Sequence, residues 1–500
     1  LVGAAAAAAA ATAAAAAAEE EKLQHMAKGA SFVPALRAAA TAGGGAVDCA
    51  SVGAWHETTS DDLNDLDYHA PTMHSAEILD SLKRNHRPFY RDLGAALSRD
   101  DGDTVRRMLL RDPYDGVAAP ALEPVPSVCA LRSRAGGPTG RVTVGRVTVG
   151  PLGVVCVDRS CISLKACGSG AGRDGQVTPY EVVVRAGTAV SLAQPFHAHF
   201  HFVAEILPRL ALLSEHLGST SLRRGGGGQH QLHVWPLLDD VLLHFGAIPV
   251  SDAMVETVAL VLGVKHSDRI RERIVGGART RIAFDTLIVP EPVGCGSPSR
   301  MMLLGFQRHM LNRRSTNTVG TMPAAALPAA ATDASYNNIG GRMAILLRRD
   351  GRVQHRAIQN HHELARALTE TTAAAGLALR VFGNEDAASM PLVDQARLFA
   401  RADLVVGAHG AGLVNVLHLR RGSFVVEILP TRSQALTCYL HMSAKLGLRY
   451  HAMIAEEEDA AGSLVVPVEA VAAVVAGLGR IRMPRRIHRR ITAVRSSQEL

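Results

Sequence analysis

The residues of this 500-residue chain whose types and spacing can do chemistry fall in three short stretches. The first is Leu404-Val405-Val406-Gly407-Ala408-His409-Gly410-Ala411-Gly412-Leu413. Its apolar start reads as a buried strand, its glycines as a tight turn, and 413–419 as a helix. At such a turn N–H groups and the helix dipole converge and favour an anion, phosphate above all. Without a Cβ at Gly410 or Gly412 a ligand can approach the backbone. The plainer reading is a strand-to-helix connection with no ligand. The spacing is not GxGxxG, and no acidic residue follows at the interval a dinucleotide site uses, which counts against an NAD-dependent oxidoreductase.

The second stretch is Arg348-Arg349 at the end of an apolar run, with Arg356 and Asn360 following. Guanidinium groups make bidentate contacts to phosphate. Strand ends of one sheet line one edge, so these groups are expected at the crevice of His409; otherwise they belong to a solvated loop. Asn415 lies just beyond the glycine turn, and Glu427 stands near the carboxyl end of the 424–428 run, placed to accept two ribose hydroxyls. The third stretch is His197-Ala198-His199-Phe200-His201-Phe202-Val203-Ala204-Glu205. On a strand the three His would share a face and could bind metal, but further ligands are missing. Phe202, Ile206, Leu210 and Leu213 recur at helical spacing instead. On that helix His201 and Glu205 are four apart and point the same way, as a general base and its partner or as a simple surface pair.

These stretches need elements to hold them. After 313–341, a linker or insertion rich in Ala, Pro, Ser, Thr and Asn, the pattern alternates: strand 343–347, helix 361–371, strand 377–382, helix 392–402, strand 404–406, helix 413–419, strand 424–428, helix 435–446 and helix 468–478. Such alternation means βαβ units and a parallel sheet. Before the linker, strands at 153–157, 181–184, 232–235 and 286–289 and helices at 200–217 and 253–262 suggest a second region of the same kind. The RVTVG repeat at 141–150 reads as a strand pair. The expected fold class is α/β, with two Rossmann-like domains facing a cleft and an irregular or disordered N-terminal region. The boundaries are 1–130 for a low-complexity leader and stem, 131–312 and 342–479 for the domains, 313–341 for the linker, and 480–500 for a basic tail.

Composition limits the partners. With 47% apolar and 20% charged residues the chain is globular, not wholly disordered. Aromatics at 4%, with two Trp, argue against a stacking platform for single-stranded nucleic acid. A net charge of +7 permits a nucleotide diphosphate or a membrane surface and does not call for nucleic acid. Seven cysteines form no CxxC pair, so a zinc ribbon is not expected; Cys156, Cys161 and Cys167 are candidates for one disulfide. No Asn-x-Ser/Thr sequon is present. The Ala run at 4–18 is short, weakly apolar and followed by three Glu, so it reads as a low-complexity leader or as the remnant of a signal anchor.

The segment Phe200-His201-Phe202-Val203-Ala204-Glu205-Ile206-Leu207-Pro208-Arg209-Leu210 resembles the His-x-x-x-acid-x-Leu-Pro-Arg-Leu motif of glycosyltransferase family 61. The order of Arg356-x-x-x-Asn360, Gly407-Ala408-His409-Gly410-Ala411-Gly412-Leu413-x-Asn415, Gly422-Ser423-Phe424-Val425-Val426-Glu427 and Leu446-Gly447-Leu448-x-Tyr450 agrees as well, so the resemblance spans about 190–455. It implies a GT-B fold and an inverting, metal-independent hexosyl- or pentosyltransferase of the Golgi or endoplasmic reticulum lumen, of type II with an anchor upstream. The donor would be a UDP-sugar, with no other cofactor, and the acceptor a glycan or glycoprotein. Glu205 would be the base, oriented by His201; Arg348, Arg349, Arg356, Asn360, His409, Gly410, Gly412, Asn415 and Glu427 would bind the donor. The alternative from another class is an inactive nucleotide-sugar-binding scaffold.

Overall fold

The computed structural model describes residues 33, 36–38, 41, 46–51, 69–85, 88–110, 127–132, 147–149, 154–157, 160–163, 181–184, 187–193, 199–222, 241–246, 248–264, 267–276, 280–291, 298–312, 342–348, 356–431 and 437–479. The Ala run, the 313–341 linker, the 232–235 strand, Arg349, His197 and the basic tail lie outside the described residues.

The second half follows the expected alternation. Five strands and an added edge strand form one parallel sheet in the order Leu377–Phe382, Arg342–Leu347, Ala402–Ala408, Phe424–Leu429, Arg449–Ile454, Thr72–Met73. The central strands are continuous apolar runs because both faces are covered. Met343, Ile345 and Leu347 pack toward Val393, Ala396 and Phe399 on one face. Ala344, Leu346, Val406 and Val426 pack toward Leu364, Leu368, Val471 and Val475 on the other. Each fully buried Leu or Phe in these layers contributes roughly 1.5–3 kcal/mol over exposure. A Cβ at Gly407 would lie 2.9 Å from the Leu347 side chain, so glycine leaves the space that side chain fills. In chain order the strand Arg342–Leu347 sits between its successor, Leu377–Phe382, and Ala402–Ala408. The winding therefore reverses between Arg342–Leu347 and Ala402–Ala408, and open α/β sheets bind ligands at the carboxyl ends of strands at that point.

The first half departs from a plain doubly wound domain. Its six-stranded sheet, ordered Ala46–Ser51, Ser127–Arg132, Thr286–Pro290, Thr188–Ser191, Val241–His244, Ile274–Val275, is mixed, because the first two strands run antiparallel to their neighbours. A separate five-stranded sheet, which includes Val147–Val149 and Thr280–Phe284, packs against it. Val147, Val149, Ile282 and Phe284 from that sheet meet Leu131, Ala189, Leu287 and Val289 from the other. Short strands with sparse periodicity build this layer, so helices cover one face and a sheet the other.

The sequence reading assigns 1–130 to leader and stem; the described parts of that region are folded into the body. Ala46–Ser51 pairs with Ser127–Arg132, and Cys49 is disulfide-bonded to Cys129. Thr72–Met73 extends the second sheet. Three helices follow. Ala76–Lys83 is capped by Ser75, which accepts from the Glu77 N–H at 3.2 Å, and Gly102–Leu109 by Asp101, which accepts from the Thr104 N–H at 3.1 Å. With Pro88–Ser98 between them, they bury Ile78, Leu82, Leu93, Val105 and Leu109. Two apolar residues per short helix are enough to dock it and too few to stand out by periodicity.

One apolar cluster runs through both halves. Helix Arg300–Asn312 lies between them: Gln307 Nε2 donates to the Leu417 and Leu419 carbonyls at 3.0 and 2.8 Å. Lys445, buried, donates from Nζ to the Pro298 carbonyl at 2.9 Å. Among the described residues no helix is long and apolar enough to cross a membrane.

Cys49 and Cys129 are 80 residues apart, and closing a loop of that length removes much of the freedom of the unfolded chain. Replacing both with Ala is expected to lower the unfolding free energy by roughly 2–4 kcal/mol. The denaturant midpoint reads this, and an unchanged midpoint would contradict it.

Candidate active site

The carboxyl edge of the second sheet carries the glycine turn. His409 and Gly410 leave Ala402–Ala408, and a 3-10 helix, Ala411–His418, replaces the expected α-helix. His409 Nδ1 makes a short hydrogen bond to Glu427 Oε1. The Tyr450 hydroxyl donates to Glu427 Oε2 at 2.5 Å. Glu427 is fully buried, so both carboxylate oxygens are held by neighbours on flanking strands. Burial first, then the charge and hydrogen bond of Glu427, pushes the Tyr450 hydroxyl far up, so it remains a donor.

On the first half, His199–His201, a π-helical turn Phe202–Ile206 and Leu207–Leu222 form one continuous helical segment. Such π-turns recur at functional sites. Glu205 lies in the turn with its side chain fully buried, and His201 Nδ1 is 2.9 Å from its Oε1. The His201 side chain is 19% exposed. Arg209, one turn on, is buried; its Nη2 donates to the Ser191 carbonyl at 2.8 Å and lies 3.4 Å from that of Pro290, so it pins the helix to two strand ends. Burial lowers the Arg209 pKa to about 10, and the charge of Glu205 opposes that shift.

Aromatic rings join the two pairs. Phe200 meets Tyr439 edge-on at 5.4 Å, and Tyr439 meets His409 at 5.4 Å. The Tyr439 hydroxyl donates to the Gly410 carbonyl at 2.5 Å. The electrostatics agree: burial, then the charge of Glu427 and less strongly that of Glu205, pushes the Cys438 thiol up.

The sequence-predicted residues divide. Arg348 follows Leu347 at the carboxyl edge, over Gly383, where a Cβ would lie 3.6 Å from its Nε. Arg356 has φ of 65°, a strained position for a residue with a side chain, and its Nη1 reaches the His409 carbonyl at 3.5 Å. Gly412 is exposed, and a Cβ there would meet nothing within 4 Å. Gly410 has extended backbone, φ 167°, which any residue can adopt. These positions gather at the crevice. Two others are engaged in the frame. Asn360 donates to the Val466 carbonyl at 2.8 Å and accepts from its N–H at 3.0 Å, tying the start of helix His361–Ala374 to a neighbouring segment. Asn415 is buried and donates to Gln395 Oε1 at 3.2 Å. Glu427, expected to accept ribose hydroxyls, has both oxygens engaged by His409 and Tyr450.

Tyr439, Tyr450, Phe200 and Arg209 escaped the sequence reading as site residues. For Arg209 the signal was present, four residues after Glu205 on the same face. The role of Tyr439 depends on the packing of two halves and left no local trace. His199 is exposed, and among the described residues no group of three or more His, Cys, Asp or Glu could hold a metal ion.

Residues 199–426 match the model of the family described as Glycosyltransferase 61. No curated protein matches the chain.

His418, which ends the 3-10 helix, anchors the turn from inside the core. It is fully buried, and neither ring nitrogen has a hydrogen-bond partner among the described residues. Burial lowers its pKa to about 3. The unfolded chain, with His near 6.5, takes up a proton that the folded one refuses, so stability falls as pH drops from about 6.5 toward 3. His418→Leu is expected to remove about 1 kcal/mol of this loss per pH unit below pH 6. Denaturation at stepped pH checks it; an acid limb of unchanged slope would contradict it.

Proposed function

The chain belongs, through residues 199–426, to glycosyltransferase family 61, and we propose that it is an inverting transferase moving a hexosyl or pentosyl group from a UDP-sugar to a glycan or glycoprotein hydroxyl. One observation carries this reading. A His–Glu pair from each half, His201/Glu205 and His409/Glu427, meets at the edge of a parallel sheet through the Phe200, Tyr439 and His409 rings. Single displacement needs two such groups on opposite sides of the anomeric carbon: one to take the acceptor proton and one to meet the departing diphosphate.

The diphosphate is assigned to the His409–Gly412 turn, between Arg348 and Arg356, with Arg349 beside them in sequence. The guanidinium groups and turn N–H groups supply the positive field there, so no metal is assigned to the reaction. The base role follows exposure. Glu205 is sealed inside, whereas His201 reaches the surface. His201 therefore takes the acceptor proton and Glu205 orients it, the reverse of the sequence expectation. The Cys49–Cys129 disulfide suits an oxidising lumen, and Golgi or endoplasmic reticulum residence is proposed on that ground, with type II topology resting on the family alone.

Two measurements test the proposal. A Cβ at position 412 meets nothing in the protein, so Gly412→Val should fold normally while its side chain occupies the diphosphate's approach. Calorimetry is expected to show UDP affinity down at least about tenfold, about 1.4 kcal/mol; unchanged affinity would remove UDP from this turn. His201→Asn is expected to lower turnover about a hundredfold or more while UDP affinity stays near wild type, because the base contributes roughly 10²–10⁴ in rate. A donor screen reading UDP release supplies the assay, and normal turnover in His201→Asn would refute the base.

A further inference from the structure

We propose that His409 is the proton-bearing group that meets the leaving diphosphate, aimed by Glu427 with Tyr450 as the positioning residue behind it. This rests on the reading of the site as a UDP-sugar transferase. The argument is one of donors and acceptors. Glu427 takes Nδ1–H of His409 at one oxygen and the Tyr450 hydroxyl at the other. A carboxylate so placed fixes the ring's orientation and commits Nδ1 as a donor. Among the described residues Nε2 of His409 has no hydrogen-bond partner. A neutral ring held this way offers only a lone pair at Nε2, and the oxygens of a fully ionised diphosphate also offer only lone pairs. The two can bond only when the ring carries a second proton. UDP bound at this edge therefore draws one proton onto His409.

The surroundings of the ring are on several elements. Glu427 comes from the neighbouring strand, and the edge of Tyr439 from helix Cys438–Leu446. The Arg356 Nη1 lies 3.5 Å from the His409 carbonyl. The Cys438 thiol, pushed up by burial and by Glu427 and Glu205, stays neutral, as does the Tyr450 hydroxyl. Among the described residues the single carboxylate in hydrogen-bond contact with the ring is thus Glu427.

In the transfer itself the acceptor oxygen forms the new bond to the anomeric carbon, and its proton passes to His201. The bond from that carbon to the β-phosphate oxygen breaks, with the electron pair staying on the oxygen. Nε2–H of His409 hydrogen-bonds to the charge that develops there, so the imidazolium takes a part that a metal ion takes elsewhere.

The test uses the full chain and UDP. Calorimetry is run at about pH 8, above the terminal phosphate ionisation near 6, in two buffers of different ionisation enthalpy. The wild type is expected to take up close to one proton per UDP bound, and His409→Asn to bind more weakly with no uptake. Tyr450→Phe keeps the ring and removes only the hydroxyl behind Glu427. Its kcat is expected to fall about tenfold with KM for the donor nearly unchanged, a split that partial unfolding would not produce. UDP binding without proton uptake in the wild type, or Tyr450→Phe with normal kcat, overturns the role of His409 and leaves the transferase reading standing. Absence of UDP binding by the wild type overturns both.

Discussion

The carboxylate of Glu427 sits fully buried on a central strand of a parallel sheet, and the geometry of the site depends on how it is satisfied. Taking such a charge out of water costs several kcal/mol, so the fold must supply donors at both oxygens. It supplies His409 from the exit of one neighbouring strand and Tyr450 from near the start of the other. Three adjacent strands are thereby tied together by side chains. The glycine turn that follows His409 inherits its position from that tie, and so does the ring that faces the crevice.

The other half is brought to this point by a second buried charge. Arg209 binds two strand-end carbonyls, which fixes the rotation of the helical segment beginning at His199. His201 is then carried to the surface, and Phe200 is turned onto Tyr439. The halves are not separate bodies around an empty gap. A common apolar cluster, helix Arg300–Asn312 and the N-terminal helices hold them together. The disulfide at Cys49 and the added strand Thr72–Met73 tie the chain before residue 110 to one sheet each.

Much of the second half was legible because each strand there is a continuous apolar run and each helix has a full amphipathic face. His409 could be read from the glycine turn alone, and the pairing of His201 with Glu205 from their spacing. Depth could not be read. Spacing of four puts two side chains on one face without saying which is sealed, and that decides which of His201 and Glu205 can touch a substrate. Asn360 and Asn415 show the same limit: a polar residue in a motif looks the same whether it holds a ligand or another part of the protein. The five-stranded sheet and the N-terminal helices were hidden by their shortness, since each buries only a few residues. Tyr439 was hidden for a different reason, as its contacts join residues far apart in the chain.

A crystal structure with UDP bound bears most directly on the account that two His–Glu pairs frame one transfer site. The account predicts the β-phosphate within hydrogen-bond distance of His409 Nε2 and of the turn N–H groups at 410–412, with its outer oxygen turned toward His201. A diphosphate bound away from that edge, or on the face of the sheet opposite His201, would contradict it.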